Sequence, residues 1–384
     1  MITWTLEFIF WFSLLTLFYA YAGYPLCAAL LAFFLKKPVH KKSIYPQVTI
    51  LIAAYNEEDS IAATLENKLS LDYPKDKLQI IVISDESEDQ TDTIVESFRE
   101  RGILLLRQSP RAGKTSALNL AIPFARGEIL VFSDANSMYA PDAMQKLVAN
   151  FADPAIGYVT GKMIYTNSDG STAGDGCSAY MKYENKLREL ETNLGSVVGV
   201  DGGIDAMRID LYSPLNADQL PDFVQPLKVI EKGYRVVYES SALLKEATLL
   251  ESGDEYRMRV RVTLRALWAL NDMRGLLKGG GGMLFAWQLW SHKVLRYSCF
   301  VFLILVFLTN IWLATETVFF QILFSFQSAC YIGAALSPVV TRLGRDMLLL
   351  RLLYYFVLLN VASLHAAMNY IKGKKQILWT PRKG

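Results

Sequence analysis

Histidine and cysteine are scarce in this sequence of 384 residues, and the few that occur are scattered. The three histidines lie at positions 40, 292 and 365, and the four cysteines at positions 27, 177, 299 and 330. Without a Cys-x-x-Cys pair, neither a zinc site nor a disulfide framework is indicated. Excess charge is lacking too, since the net charge is only +2 and no basic stripe with interleaved aromatics occurs. A nucleic-acid partner is therefore not expected.

Two common nucleotide-binding motifs are also missing. No Gly-x-Gly-x-x-Gly follows the first predicted strand, so a dinucleotide-binding Rossmann unit is not indicated. The Gly-Lys-Thr of residues 113–115 resembles the end of a phosphate-binding P-loop, but that motif needs a glycine where this sequence has Gln108. Arg111, Lys114 and Asn119 still lie at the start of a predicted helix, and the amino end of a helix attracts anions.

Long hydrophobic runs are plentiful, and 52% of the residues are hydrophobic. Residues 2–35 contain a single charge, Glu7, and exceed the roughly 20 residues that span a bilayer. The run is too long for a signal-peptide core, so residues 1–35 are predicted to form a retained transmembrane helix. Four lysines follow within residues 36–42, which predicts that Met1 lies outside and the next domain lies in the cytosol.

Three further apolar runs, near residues 294–314, 318–338 and 349–370, predict a C-terminal transmembrane region over residues 294–370. Residues 283–293, which contain two tryptophans, are predicted to form an interfacial helix. The tail of residues 371–384 is basic, which favours the cytosolic side, whereas four crossings from an outside start would leave it outside. Either one segment is re-entrant or the charge rule fails here, and the sequence leaves both open.

The polar middle of the chain, residues 47–275, alternates strand-like and helix-like segments. Strands are predicted at 48–53, 78–83, 103–106 and 129–132, and helices at 60–71, 92–101 and 115–124. This alternation predicts βαβ units and an α/β domain with a mostly parallel sheet. The strands are almost wholly apolar, so the sheet is expected to be covered on both faces.

Acidic and amide side chains follow three of the predicted strands. They lie in the Ala-Tyr-Asn-Glu-Glu of residues 54–58, at Asp85, and at Asp134 and Asn136. Loops after parallel strands share one edge of a sheet, so these side chains are expected to converge. Their oxygens suit a hard cation and a phosphorylated ligand. Asp222 opens another predicted helix, where it could equally be a capping residue.

Arginines alternate at positions 257, 259 and 261 and continue to Arg265. On a helix they would form a basic face against lipid headgroups, or they could reach a diphosphate.

The ordered set of motifs resembles the family 2 membrane glycosyltransferases over about residues 47–270. The set consists of Ala54-Tyr55-Asn56-Glu57, Asp85, Gly113-Lys114 with Asn119, Asp134-Ala135-Asn136, residues 202–208 and Asp222. The resemblance implies a nucleotide-diphospho-sugar transferase (GT-A) fold flanked by transmembrane helices. It also implies an inverting glycosyltransferase of the cell (inner) membrane. That enzyme would move a sugar from a nucleotide-sugar, with a UDP-sugar expected, to a lipid-linked or polysaccharide acceptor in cell-surface or exopolysaccharide synthesis.

The resemblance also assigns roles to residues on the donor side. Tyr55, Glu57 and Asp85 would hold the nucleoside, and Lys114 would lie near the donor. Asp134 and Asn136 match the family's Asp-x-Asp motif, which binds Mg²⁺ or Mn²⁺ at the diphosphate. Asn136 departs from that motif, since an amide replaces the second carboxylate.

On the acceptor side, the resemblance makes Asp222 the general base, and Gly202, Gly203 and Arg208 would bind the acceptor. Arg261 would hold the leaving diphosphate. An inverting transfer needs one base to take the proton of the acceptor hydroxyl. Residues 258–262 (Met-Arg-Val-Arg-Val) stand where processive members carry Gln-x-x-Arg-Trp, and Pro221 stands where an acidic residue is usual.

Three other functions stay open at this stage. The chain could transfer a sugar to a polyprenyl phosphate, which is a closely related reaction. It could be a membrane transporter with a regulatory domain, although ionisable residues are scarce in its apolar runs. It could also be an inactive scaffold subunit, given Asn136 and Pro221. The oligomeric state is not indicated.

Overall fold

The computed structural model describes residues 2–166, 175–247, 252–343 and 347–378. Eight strands form one sheet in the order β3-β2-β1-β4-β7-β6-β8-β5. They are β1 (Val48–Ala54), β2 (Leu78–Asp85), β3 (Ile103–Gln108), β4 (Ile129–Asp134), β5 (Met138–Tyr139), β6 (Ile156–Thr166), β7 (Ile204–Arg208) and β8 (Arg235–Ala247). The four predicted strands are confirmed, and each extends one or two residues further at its carboxyl end. The last part of the predicted basic tail, residues 379–384, lies outside the described residues.

The sheet is mixed. β1, β2, β3 and β4 are mutually parallel neighbours, and β6 also runs parallel to β8. β7 runs antiparallel to both β4 and β6, and β5 runs antiparallel to β8. The parallel half is the part that the alternating strand and helix pattern could predict.

Fourteen α-helices occur among the described residues. Those of the sheet domain are α3 (Ile61–Leu69), α4 (Thr91–Glu96), α5 (Lys114–Ala121), α6 (Ala143–Val148), α7 (Asp175–Leu194), α8 (Pro221–Glu231), α9 (Ser252–Asp272) and α10 (Arg274–Leu277). The others are α1 (Ile2–Phe18), α2 (Tyr24–Phe34), α11 (Met283–Leu289), α12 (Arg296–Leu313), α13 (Val318–Arg342) and α14 (Leu348–Ile371).

Both faces of the sheet are covered. Every residue of β1 is buried, as expected for a strand with helices above and below it. Side chains of α3, α4 and α6 pack on one face, among them Ile61 and Leu147. Side chains of α5, α8 and α9 pack on the other, among them Leu118 and Leu227.

The parallel register brings the strand ends together. Ala53 at the end of β1 pairs with Asp134 at the end of β4, and Ala54 pairs with Ser84 of β2. The loops that follow these three strands therefore lie at one edge, as the sequence predicts for a parallel sheet.

Four helical segments in the described part of the chain are long and apolar enough to cross a membrane. They are Ile2–Phe34, Met283–Leu313, Val318–Arg342 and Leu348–Ile371.

The prediction of a separate interfacial helix at residues 283–293 is wrong. No helix-breaking residue follows position 289, so α11 continues through a π-helical turn, Trp290–Leu295, into α12. Phe285 and Leu289 are buried in the core of the sheet domain.

The described part of the tail contacts the sheet domain. The indole Nε1 of Trp268 donates to the carbonyl of Lys374 at 2.9 Å, and Lys375 forms an ion pair with Asp218. The first apolar segment, about 50 Å long, ends beside the same domain, where the Lys37 N–H donates to the Asn193 carbonyl at 2.7 Å. Lys37, just after the first apolar segment, and residues 374–375 of the tail thus both lie beside the sheet domain.

Candidate active site

Three charged side chains meet where β1 and β4 end. Asp134 is the last residue of β4, Lys114 is the first residue of α5, and Asp222 is the second residue of α8. The Nζ atom of Lys114 lies 2.7 Å from Oδ1 of Asp134 and 3.6 Å from Oδ1 of Asp222. All three line a cavity of about 270 Å³, which Glu57, Asn136 and Arg261 also line. The structure thus brings together six residues that the sequence analysis assigned to one site.

Lys114 is held as a cation at this site. Burial alone would lower the pKa of its ammonium group, but the carboxylates of Asp134 and Asp222 outweigh that effect and raise the pKa. A permanent positive charge between two carboxylates lets both ionise although they face the same cavity.

Asp222 has the electrostatics of a base. Burial raises the pKa of its carboxyl group above the ordinary value, and the charge of Asp134 raises it further, while Lys114 opposes both. A carboxylate whose pKa is raised takes a proton more readily than an exposed one. Pro221 opens α8 at a position where proline is favoured, so it fixes the helix start that carries Asp222.

Gly202 makes room for the carboxylate of Asp222. It has φ +87°, and a Cβ atom at this position would lie 2.8 Å from Oδ2 of Asp222. Only glycine fits that contact without displacing the carboxylate. Gly203 instead packs within the sheet, because its carbonyl accepts from the Tyr139 hydroxyl at 2.9 Å and a Cβ there would lie 2.7 Å from Leu244. Neither glycine lines the cavity, so their predicted contact with the acceptor stays a prediction.

Tyr55 and Asp85, predicted to hold the nucleoside, do not line the cavity. The Arg111 guanidinium lies 3.4 Å from the centre of the Tyr55 ring. The fully buried carboxylate of Asp85 accepts from the backbone N–H groups of Ala112 at 2.9 Å and Gly113 at 3.0 Å. Asp85 therefore anchors the loop that positions Lys114, and it does not line the cavity. Glu57 does line it, and burial raises the pKa of Glu57.

Two further charged residues line the cavity without having been assigned to the site, although Arg265 belongs to the arginine run that could reach a diphosphate. Arg265 lies one turn after Arg261 on α9 and lines the same cavity, with its Nη2 donating to the Gln219 carbonyl at 2.6 Å. Burial lowers the pKa of Arg265 to about 10, although Asp222 opposes this. The spacing of four residues between the two arginines was the available signal, since i and i+4 share a helix face. Glu246 of β8 also lines the cavity, and no sequence signal marked it.

Arg208 does not reach this site, so its prediction as an acceptor-binding residue needs correction. β7 runs antiparallel to β4 and pairs Arg208 with Ile129, at the amino end of β4. There its guanidinium donates to the carbonyls of Ile156 at 2.9 Å and Phe151 at 2.8 Å. The sequence pattern did not show that the chain reverses direction at β7.

The oxygens at the end of β4 fit a hard cation that shares its coordination with a ligand. Asp134 and Asn136 line the cavity with Glu246. Within the described ranges, no group of three or more His, Cys, Asp or Glu side chains is arranged to hold a metal ion by itself. Mg²⁺ and its analogues often take only one or two protein carboxylates and complete their coordination with substrate phosphates and water. The donor set fits a cation bound in that way.

Comparison with known proteins agrees with this geometry. The model of glycosyl transferase family 2 matches residues 49–206, which run from β1 to β7 and include Asp134 and Asn136. Over these residues the chain is similar to that family, and the sheet domain is called the glycosyltransferase domain from here on. It has the predicted α/β fold, and apolar helices flank it.

Relatives of this glycosyltransferase domain act on different molecules. The poly-β-1,6-N-acetyl-D-glucosamine synthase of Staphylococcus aureus strain MSSA476 is 27% identical over 249 residues, which are 63% of this chain and 58% of that protein. The β-monoglucosyldiacylglycerol synthase of Trichormus variabilis is 31% identical over 156 residues, or 40% of this chain and 33% of that protein. This chain thus matches less than two thirds of the length of these relatives.

A solved mannosyltransferase from Pyrobaculum calidifontis, in complex with GDP-Man and Mn²⁺, has the same overall fold. Its TM-score is 0.75 at 23% identity, and the match covers 96% of this chain and 99% of that chain. The match confirms the GT-A fold of the glycosyltransferase domain and extends over the flanking helices.

Proposed function

We propose that this protein is an inverting glycosyltransferase that moves a sugar from a nucleotide-sugar to a hydroxyl group of a membrane-associated acceptor. The observation that carries the proposal is the position of Asp222. Its carboxylate lies beside the Lys114 ammonium, 3.6 Å away, and faces the cavity that contains the Asp134 and Asn136 oxygens. A base and a phosphate-binding edge thus share one cavity, as a single displacement requires.

In this mechanism Asp222 takes the proton of the acceptor hydroxyl while the hydroxyl oxygen attacks the anomeric carbon of the donor sugar. The bond from that carbon to the diphosphate breaks, and the nucleoside diphosphate leaves. No second carboxylate is needed as a nucleophile, in contrast to the covalent route of retaining glycoside hydrolases. The raised pKa of Asp222 favours proton uptake, and Gly202 lets the carboxylate approach the acceptor side of the cavity.

Negative charge grows on the diphosphate as it leaves. Lys114, Arg261 and Arg265 line the cavity and would stabilise that charge. Asp134 and Asn136 would hold a Mg²⁺ or Mn²⁺ ion, which would supply further charge neutralisation at the diphosphate. Tyr55, beside Arg111, offers an aromatic face near the predicted nucleoside position.

We further propose that the protein lies in the cell membrane with the glycosyltransferase domain on the cytosolic side, where nucleotide-sugars are made. The lysines of residues 36–42 and the basic tail both lie on the side of this domain, in agreement with the charge bias of cytosolic segments. The relatives named above make a polysaccharide and a glycolipid, which supports a lipid-linked or glycan acceptor.

A donor screen tests this proposal. The purified protein is incubated with UDP-sugars and GDP-sugars, with Mn²⁺, with Mg²⁺ or with a chelator, and release of the nucleoside diphosphate is measured. One donor is expected to be hydrolysed slowly to its nucleoside diphosphate, with the rate dependent on the divalent cation. If no nucleotide-sugar is consumed and none raises the thermal stability of the protein, the proposal is wrong.

A further inference from the structure

The loop between β4 and β5 carries the predicted cation ligands, and α3 holds this loop by hydrogen bonds. Asp134 ends β4, Asn136 lies in the loop, and β5 begins two residues later. Ala135 and Asn136 line the active-site cavity, whereas the residues of α3 (Ile61–Leu69) lie behind the loop and outside the cavity lining. Side chains of α3 can therefore affect the cavity through the loop without touching a ligand.

Two side chains of α3 bind the two ends of the loop. The Thr64 hydroxyl donates to the Ala135 carbonyl at 2.6 Å. The Asn67 side chain pairs with the backbone of Tyr139, because its Nδ2 donates to that carbonyl at 2.9 Å and its Oδ1 accepts from that N–H at 2.8 Å. The loop is thus fastened to the helix both before and after its central residues.

Lys68 binds the middle of the loop. Its Nζ donates to the Ser137 carbonyl at 2.5 Å and to Oδ1 of Asn67 at 3.1 Å. The same atom lies 3.5 Å from the centre of the Tyr139 ring. Positions 64, 67 and 68 share one face of α3, because residues three and four apart are neighbours on a helix. That whole face is therefore directed at the loop.

The burial of Lys68 is unusual for a lysine. Its side chain is fully buried, and burial lowers the pKa of its amino group well below the usual range, although the charge of Asp134 opposes this. The amino group has N–H donors in either protonation state, so its bond to Ser137 does not depend on its charge. A methionine of similar length would fill the same volume without the cost of burying a polar group. The hydrogen bond to the loop is thus what the lysine adds.

Asn136 gives this bond a purpose. The affinity of an oxygen site for a hard cation depends on the charge of its ligands and on the rigidity of the site. Asp134 brings a full charge and is fixed by the sheet, whereas the amide of Asn136 brings no charge and lies in a loop. A neutral ligand depends more on being oriented in advance, and partners behind a ligand supply that orientation.

We propose that Lys68 is a positioning residue for the cation site, and that its bond to the Ser137 carbonyl fixes the loop so that the Asn136 amide can bind the divalent cation. Thr64 acts in the same way through Ala135. This proposal rests on the proposed glycosyl transfer and its cation at the end of β4. Neither Lys68 nor Thr64 touches the substrate or the cation.

A binding measurement without turnover tests the proposal. The full-length protein in a neutral detergent is saturated with UDP or with GDP and titrated with Mn²⁺, and free Mn²⁺ is followed by electron paramagnetic resonance. Lys68→Met is expected to raise the dissociation constant of Mn²⁺ by about tenfold or more. Lys77→Met is the control and should change nothing. Lys77 also donates to a backbone carbonyl, that of Tyr45 at 2.6 Å, but at the amino ends of the strands.

A double-mutant cycle separates positioning from a general structural role. Asn136→Asp brings a charge to the ligand, so the same Lys68→Met substitution is expected to cost less than about threefold in that background. Thr64→Val keeps the shape of the side chain and removes the bond to Ala135, so it should follow the same pattern even if Lys68→Met does not fold. Equal losses of Mn²⁺ affinity in the two backgrounds would identify a structural role alone and overturn the proposal.

The remaining outcomes distinguish this proposal from the proposed function. If the unchanged protein binds no Mn²⁺ with either diphosphate, the cation site itself is wrong, and the positioning role is wrong with it. If the unchanged protein binds Mn²⁺ and both Lys68→Met and Thr64→Val bind it equally well, the cation site stands and only the positioning role of α3 is wrong.

Discussion

The ammonium group of Lys114 lies 2.7 Å from the carboxylate of Asp134, and this contact joins the start of α5 to the end of β4. The same ammonium is 3.6 Å from Asp222. One cation thus links the predicted phosphate-binding edge to the predicted base. Its loss would leave two carboxylates facing one cavity without the charge that stabilises both.

Replacement of Lys114 by methionine, which is similar in length and uncharged, is therefore expected to lower kcat/KM by about a hundredfold or more. The acid limb of the pH–rate profile should also move to higher pH, because Lys114 lowers the pKa of Asp222. Steady-state rates over a pH series measure both effects. Lys278→Met is the control, because it removes an exposed lysine. If the acid limb of the Lys114→Met profile lies at the same pH as that of the unchanged protein, Lys114 does not lower the pKa of Asp222.

Asn136→Asp tests the cation at the end of β4. The substitution adds a second carboxylate beside Asp134 in the cavity, so the concentration of Mn²⁺ that gives half-maximal activity is expected to fall. A metal titration of donor hydrolysis measures this concentration. An unchanged value would show that position 136 does not bind the cation.

Gly202→Ala is expected to displace the base. Its Cβ would lie 2.8 Å from Oδ2 of Asp222, so kcat should fall by at least about tenfold while donor binding is largely kept. Gly233→Ala is a close control. Gly233 has φ +84°, against +87° for Gly202, but no atom lies within 4 Å of its added Cβ. Both variants share the backbone strain of about 1–2 kcal/mol, and only Gly202→Ala has the clash. If Gly202→Ala and Gly233→Ala lose the same fraction of kcat, backbone strain alone explains the loss, and the contact with Asp222 does not.

Asp205 is expected to make stability depend on pH. Burial, and to a lesser extent the charge of Asp222, raises the pKa of this carboxyl group to about 7. The folded state therefore holds its proton more tightly than the unfolded state does. The resulting stability is present at low pH and is lost as the pH rises from the ordinary range of an aspartate to about 7.

Asp205→Asn removes this titration and should raise the thermal midpoint by several degrees at pH 8, with little effect at pH 4. Thermal unfolding at the two pH values measures the difference. Asp210→Asn, at an exposed position, should behave like the unchanged protein at both. A stabilisation of the same size at pH 4 and pH 8 would contradict the raised pKa.

The sequence predicted the parallel half of the sheet because its strands are apolar and alternate with amphipathic helices. β1, β2 and β4 were therefore found, and so was the convergence of Glu57, Asp134 and Asn136. The other half of the sheet was not predicted, and its short strand β7 has no periodic signal of its own. That gap explains why Arg208 was placed in the site, although β7 carries it to the amino end of β4.

Other residues were missed because long-range packing sets their positions. Asp85 was predicted to bind the nucleoside, but in this structure its buried carboxylate accepts N–H groups of the loop before Lys114. Lys293, in the π-helical turn before α12, also lines the active-site cavity, although no sequence signal marked it. The roles of the predicted site residues stay predictions until they are tested by substitution.

The Asp222→Asn variant tests the proposed mechanism most directly. Sugar transfer and donor binding are measured side by side, with Asp210→Asn as a control that removes an exposed carboxylate of the same size. If Asp222 is the general base, transfer falls by about a hundredfold or more, while the nucleotide-sugar still stabilises the protein against heat. Transfer by Asp222→Asn at the rate of the unchanged protein would contradict the assignment.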